Sequence, residues 1–224
     1  MKKLRLLLGD QLNINHSWFH RSDDEYIYLM MEIKDETNYV LHHVQKLLAI
    51  FSAMRSFARQ LKGKDHNIIY IKIDDKDNEH SFEKNIKNII NNHNVDIFQY
   101  QQPDEYRLDL LFKNLQSTLD IEVESFCSEH FLTSRDHVKD LFKDKKQWRM
   151  EEFYRHMRKK YSILLKDDKP IGGKWNYDAD NRKRWNGEPE ASTDYRPSHN
   201  HEELLHVINN ENINYFGEHH AANF

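Results

Sequence analysis

The chain has 224 residues, of which 38% are apolar and 31% charged, with a net charge of −4 at pH 7 and a mean hydropathy of −0.93, enough apolar matter for one ordinary core plus an extension. A single cysteine, Cys127, excludes an internal disulfide framework and any multi-cysteine metal site, and implies a reducing, cytoplasmic setting. The apolar run behind Met-Lys-Lys-Leu-Arg stops after Leu8 at Gly9-Asp10, too short for a signal peptide or a membrane span, so no membrane association is expected.

In chain order, residues 3–8 (KLRLLL) read as a first strand that turns at Gly9-Asp10-Gln11, and the polar loop behind it carries Trp18 and Phe19, which need cover. Residues 26–32 (YIYLMME) are a nearly continuous apolar run, as expected of a buried strand. Val40, Val44, Leu47, Leu48, Phe51, Met54, Ala58 and Leu61 then recur at helical spacing, predicting a long helix capped by Thr37 or Asn38 and closed at Gly63. Beside that core stripe, Tyr39, His43, Ile50 and Phe57 share one shoulder, which can line a crevice. A strand at 67–73, a helix at 82–92 behind Ser81, a strand at 96–101, a helix at 106–115 and a strand at 121–126 follow.

Strands alternating with helices imply a Rossmann- or flavodoxin-like α/β domain over residues 1–127, with five parallel strands flanked by helices. In such sheets ligands bind outside the carboxyl ends of the strands. That edge carries Gly9-Asp10-Gln11, residues 32–39, Asp74-Asp75 and residues 102–107. No GxGxxG or GxxxxGK[ST] follows the first strand, so a pyrophosphate-bearing nucleotide is not indicated.

Residues 128–224 read as a mostly helical and irregular linker region. It holds a helix at 136–142, a basic amphipathic helix at 150–165 with Phe153, Tyr154, Met157 and Tyr161 on one face, and a short helix near 202–208. Residues 134–184 contain 16 Lys and Arg against 9 Asp and Glu (+7), while the remainder has 17 against 28 (−11). Interleaved with Trp148, Trp175 and Trp185, this basic stretch is a candidate nucleic-acid face. The alternative is a solvated lysine-rich helix with aromatics that anchor the segment onto a neighbouring domain.

Glu32, Glu36 and Tyr39 sit where the second strand meets the long helix. They are candidate hydrogen-bonding groups for a polar ring, or simply a dipole-stabilised helix start. The histidine pairs His42-His43, His199/His201 and His219-His220 lack carboxylate or cysteine partners at ligand spacing, so no metal site is expected. Cys127 has no nucleophile arrangement and reads as a small buried or half-buried residue.

The segments LLLGDQL (6–12), MEIKDETNYVLHH (31–43), IFSAMRSFARQL (50–61), IDDKDN (73–78), PDEYR (103–107), MEEFYRHMRKKYSILL (150–165) and KPIGGKWNYDADNR (169–182), collinear through nearly the whole chain, closely resemble the deoxyribodipyrimidine photolyase-related family. These are the bacterial cryptochrome/photolyase proteins with an iron–sulfur cluster, including prokaryotic (6-4) photolyases. The resemblance implies an N-terminal antenna domain, an interdomain linker, and a helical domain for FAD, the cluster and the DNA lesion. This chain matches the antenna half and ends where the linker hands over. With one cysteine a 4Fe-4S cluster is not expected here, and without the part that resembles the flavin domain neither FAD nor photorepair by this polypeptide alone is expected. The implied ligand is 6,7-dimethyl-8-ribityllumazine, with Glu36 and Tyr39 hydrogen-bonding, Ile50 as packing wall, the Gly9-Asp10-Gln11 turn as floor, and Glu32 and His43 alongside. The alternatives are one half of a split photolyase, partnered by a separate FAD-domain polypeptide, and a non-functional remnant. DNA binding is expected to be weak and non-specific at most.

Overall fold

A computed structural model describes residues 1–182, 184, 187 and 201–219. In chain order the elements are β1 (Lys3–Leu6), β2 (Tyr26–Met31), α1 (Lys34–Asn38), β3 (His42–His43), α2 (Val44–Lys62), β4 (Ile68–Ile71), α3 (Phe82–His93), β5 (Ile97–Gln101), α4 (Tyr106–Gln116) and β6 (Glu122–Phe126). They continue with α5 (His137–Phe142), α6 (Met150–Lys160), β7 (Leu165–Lys166), β8 (Lys169–Pro170), α7 (Asp178–Asn181), α8 (Glu202–Asn210) and β9 (Tyr215–Phe216). The chain divides into two compact units. One comprises residues 1–130 with the described residues 201–219, the other the described residues between 131 and 195.

Five strands of the first unit form a parallel sheet in the order β4-β2-β1-β5-β6. This is the α/β Rossmann-like arrangement that the alternation of apolar runs predicts. Because successive side chains of a strand point to opposite faces, Leu4, Leu6, Ile27, Leu29 and Met31 pack under α3 and α4 with Phe82, Ile86 and Phe112. On the other face, Leu7, Tyr28 and Met30 pack under α2 with Leu48, Phe51 and Met54, and Trp18 and Phe19 find their cover there. Chain order reverses between β1 and β5, which opens a crevice at the carboxyl ends of those strands.

A polar row crosses the sheet in register: Tyr28, Arg5, Gln99 and Glu124 are neighbours on β2, β1, β5 and β6. The buried Arg5 donates to Tyr28 Oη at 3.0 Å and to Gln99 Oε1 at 2.8 Å, and Gln99 donates to Glu124 Oε2 at 2.6 Å. The Tyr26 ring lies 3.4 Å from the guanidinium. A buried cation is tolerable here because its Nε and Nη1 donors are engaged and aromatic faces surround it.

The long predicted helix is broken. Lys34–Asn38 form their own short helix, and α2 begins at Val44 with His43 as its N-cap, the imidazole Nδ1 accepting from the Gln45 N–H at 3.2 Å. The predicted cap at Thr37 or Asn38 and the core role of Val40, which is 49% exposed, are therefore not found. The cause is long-range: His42 and His43 leave helical geometry to pair in parallel with Tyr215 and Phe216. The C-terminal stretch, which the sequence reading places in the linker region, thus packs into the sheet unit, with Leu204, Ile208 and Ile213 buried beside Leu47 and Leu48. Cys127, expected to be at least half-buried, is exposed.

Two imidazoles of this unit are held neutral by burial. His66 lies edge-on to Phe19 and Tyr28 at 5.7 and 5.3 Å. Desolvation first, and the Lys64 charge second, push its pKa below the ordinary 6.5. His80 is lowered in the same way by desolvation and then by Lys34. The unfolded chain protonates both near their ordinary value and the folded chain does so only at lower pH. Their contribution to stability is therefore present above about pH 6.5 and is lost as pH falls below it. Denaturant midpoints measured at pH 7.5 and 5.5 are expected to fall, and His66→Phe is expected to flatten the dependence.

In the second unit, α6 ends at Lys160, five residues before the predicted end. The Arg158 guanidinium donates to the carbonyls of Ile163 and Leu164 at 3.1 and 2.6 Å, folding the chain back toward the β7–β8 hairpin. Among the described residues of this unit, only Phe142 and Met157 of the large apolar side chains are buried.

Candidate functional site

A cavity of about 400 Å³ opens at the carboxyl ends of β1 and β2, on the edge where an open parallel sheet binds its ligands. Its floor is Leu7, Leu8, Gly9 and Asp10. One wall is Leu47, Ile50, Phe51 and Met54 of α2, and the facing side holds Ile33, Glu36, Thr37 and Tyr39. Phe82 and Leu108 close the back, and Glu105, His42 and Lys46 stand at the rim. Gly9 is needed for the volume, since a Cβ there would sit 3.0 Å from Met54 Sδ and 3.3 Å from Ile50 Cγ2, inside the cavity. Asp10 has its pKa raised, chiefly by desolvation at the cleft and then by the charge of Asp104.

Glu32 also touches the cavity, but its carboxylate is fully engaged. Oε1 accepts from Arg55 Nε at 2.7 Å and Tyr70 Oη at 2.6 Å, and Oε2 accepts from Arg55 Nη2 at 2.8 Å and the Ile73 N–H at 3.0 Å. Four donors occupy the acceptor positions of one carboxylate. The side chain is wholly buried, so it ties β2 to α2 and to the end of β4 and has no acceptor free for a ligand. The same carboxylate pushes the Tyr70 phenol well above its ordinary range, after desolvation.

Glu36 belongs to a different group. Arg107 grips it with two bonds of 2.9 and 3.0 Å, holds Glu105 at 2.7 and 3.1 Å, and lies 4.1 Å from the centre of the Tyr39 ring. The two carboxylates keep Arg107 protonated. His42 joins this group. The Lys46 ammonium, which can only donate, occupies its Nδ1 at 3.2 Å, so the Nε2–H donates to the Glu36 carbonyl at 3.2 Å. The arrangement presents an apolar slot with a fixed polar rim, suited to a flat heteroaromatic ring with a polar tail.

Compared with known proteins, residues 5–224 match the family described as deoxyribodipyrimidine photo-lyase-related protein. The chain belongs to the photolyase-related family. It is 34% identical over 184 residues to a (6-4) photolyase of Agrobacterium fabrum, a match that covers 82% of this chain and 36% of that protein. The chain thus spans about a third of the photolyase it matches. It is also 25% identical over 193 residues to an uncharacterized protein of Acanthamoeba polyphaga mimivirus, covering 82% of this chain and 95% of that one.

Within this photolyase-related chain, Gly9, Asp10, Glu32, Glu36, Tyr39 and Ile50 surround one cavity, whereas Gln11 and His43 do not. Gln11 is buried and serves the turn itself, accepting from the Leu8 N–H at 3.1 Å and donating to the Gln101 carbonyl at 3.2 Å. His43 caps α2 and lies against the C-terminal strap. Gly217 packs so closely on it that a Cβ would meet the imidazole Nε2 at 2.0 Å, and its φ of +80° favours glycine independently. The strap is also tied to the cavity elements by the Lys34–Glu211 ion pair at 2.9 Å and by the Ser52–His201 hydrogen bond at 3.1 Å.

Arg107 is a site residue that the sequence alone does not single out, although it lies in the PDEYR segment. A signal was available: a cation in the first turn of a helix sits against the dipole, which points to a carboxylate partner elsewhere. Among the basic and aromatic residues, Trp148 stacks on Phe142 at 6.0 Å, and Trp175 has Arg155, Arg158 and Lys159 over its ring at 5.6, 5.1 and 5.8 Å. Trp185 and His199 lie outside the described residues, as does His220. Among the described residues no three His, Cys, Asp or Glu side chains come together as a metal site.

Proposed function

We propose that the α/β unit is a chromophore-binding antenna domain that holds 6,7-dimethyl-8-ribityllumazine in the cavity at the carboxyl ends of β1 and β2. The observation that carries this reading is the cavity itself. It lies within the roughly 300–1,000 Å³ range of small-molecule sites at about 400 Å³, with an apolar slot and a charged rim. Bound there, the lumazine would absorb near-ultraviolet and violet light and pass the excitation to an acceptor. The chain's own part is binding. Leu47, Ile50, Phe51 and Met54 exclude water from the ring, Arg107 holds Glu36 and Tyr39 in position, and Asp10 and Lys46 face the polar tail.

Glu36→Ala and Tyr39→Phe are each expected to weaken lumazine binding by about 1–3 kcal/mol, read by fluorescence titration. Arg107→Ala, which releases Glu36, Glu105 and Tyr39 together, is expected to lose at least as much as Glu36→Ala. Equal affinity in all three variants would leave these residues a purely structural role.

A second reading, in which the chain is one half of a split light-dependent photolyase, is favoured by the match to a (6-4) photolyase of which it spans 36%. The one cysteine of this chain does not fit a 4Fe-4S cluster, so flavin and cluster chemistry would belong to a separate FAD-domain polypeptide. DNA binding by this chain is then weak and lesion-blind, in the roughly 10⁻⁴ to 10⁻⁶ M range of non-specific contacts. Competition between damaged and undamaged duplex at two salt concentrations tests this. Equal, salt-sensitive affinities are expected, and a preference for damaged DNA would revive catalysis by the chain alone.

A further inference from the structure

We infer that His137 and His156 form a site for a divalent transition metal of the zinc class that staples α5 to α6. The two imidazoles are in contact, with ring centroids 5.4 Å apart and planes inclined by 45°. The Nε2 atom of each is shielded from solvent and, among the described residues, has no hydrogen-bond partner. Burying one such nitrogen without a partner is costly, and burying two beside each other doubles that cost. A bond between the rings would satisfy both nitrogens, one donating and one accepting, yet no such bond forms. A metal ion does satisfy both. Each neutral imidazole offers a lone pair, and the centroid separation is compatible with one ion at about 2.0–2.1 Å from each nitrogen.

The need for a staple is independent of that geometry. Among the described residues of this unit, Phe142 on α5 and Met157 on α6 are the only large apolar side chains that are buried, while Phe131, Leu132, Trp148, Met150, Ile163 and Leu164 are exposed. A unit of this size with so small a core is where a structural metal contributes most. Among the described residues no third histidine, cysteine or carboxylate completes the set, so the affinity is moderate. Nitrogen donors in a stretch rich in lysine and arginine select zinc, nickel or copper over magnesium and calcium, which require oxygen ligands. The proposal rests on residues of the second unit alone, and its fate is independent of the chromophore reading.

The test is titration of the full chain, stripped with a chelator, with zinc alone. The wild-type chain is expected to bind one equivalent that both His137→Ala and His156→Ala weaken by at least about tenfold. Zinc is expected to slow proteolysis within residues 131–182 in the wild type and in neither variant. Since the chain has 15 histidines, copper electron paramagnetic resonance provides the second readout, two imidazole nitrogens in the wild type and one in each variant. Where an alanine variant loses helical circular dichroism, His137→Gln and His156→Gln are read instead. Unchanged zinc affinity, protease protection or nitrogen count in the variants would overturn the assignment.

Discussion

Ile50→Trp is expected to abolish lumazine binding while leaving the melting transition of the α/β unit nearly unchanged. Ile50 projects from α2 into the cavity, beside the stripe formed by Leu47, Leu48 and Phe51, and is only partly buried. An indole there occupies space that the fold leaves open, whereas the same enlargement in a filled core forces side chains off their rotamers at about 1–3 kcal/mol. The expected pattern is thus a binding loss beyond detection with a stability change below about 1.5 kcal/mol. Wild-type affinity in this variant would move the ligand elsewhere. Loss of binding together with unfolding would show that the cavity is not free space.

The largest effect on stability is expected from Glu32→Ala. It leaves the Arg55 guanidinium, the Tyr70 hydroxyl and the Ile73 N–H without their shared acceptor. Removing one member of a buried, hydrogen-bonded ion pair costs about 3–5 kcal/mol, because the remaining charge stays desolvated. Arg55 is slightly exposed, at 19% for its side chain, so it recovers some hydration and the lower half of that range is expected. Glu32→Ala with Arg55→Leu should regain part of the loss, since both charges are then gone. If denaturant midpoints show Glu32→Ala to be as stable as wild type, the four-donor arrangement does not hold the sheet edge to α2.

These two residues show how far the sequence could be read. Periodicity puts Ile50 beside the core stripe, where the cavity lies, because a helix face is a local property and α2 is regular from Val44 to Lys62. The sheet is legible for the same reason: short apolar runs such as residues 26–32, rich in aromatics and set between turn signals, fit strands buried on both faces. Glu32 was recognised as lying at the ligand-binding edge, yet nothing local says that Arg55 and Tyr70 consume its acceptors, since they arrive from α2 and β4 only on folding. The break between α1 and α2 was illegible in the same way. It depends on Tyr215 and Phe216 pairing with His42 and His43 from the far end of the chain, while Val40 and Val44 keep the helical spacing across it. Arg107 is the intermediate case, foreshadowed by its unfavourable place on the α4 dipole, with a partner in Glu36 that only tertiary structure supplies.

The claim that the cavity is a chromophore site is tested most directly by mixing the purified chain with 6,7-dimethyl-8-ribityllumazine and separating bound from free ligand by gel filtration. Near-ultraviolet and violet absorbance is expected to travel with the protein peak at one equivalent per chain, and to be lost from that peak in Ile50→Trp. Elution of all the lumazine in the small-molecule fractions, with the wild-type chain folded and at saturating ligand, would contradict the account.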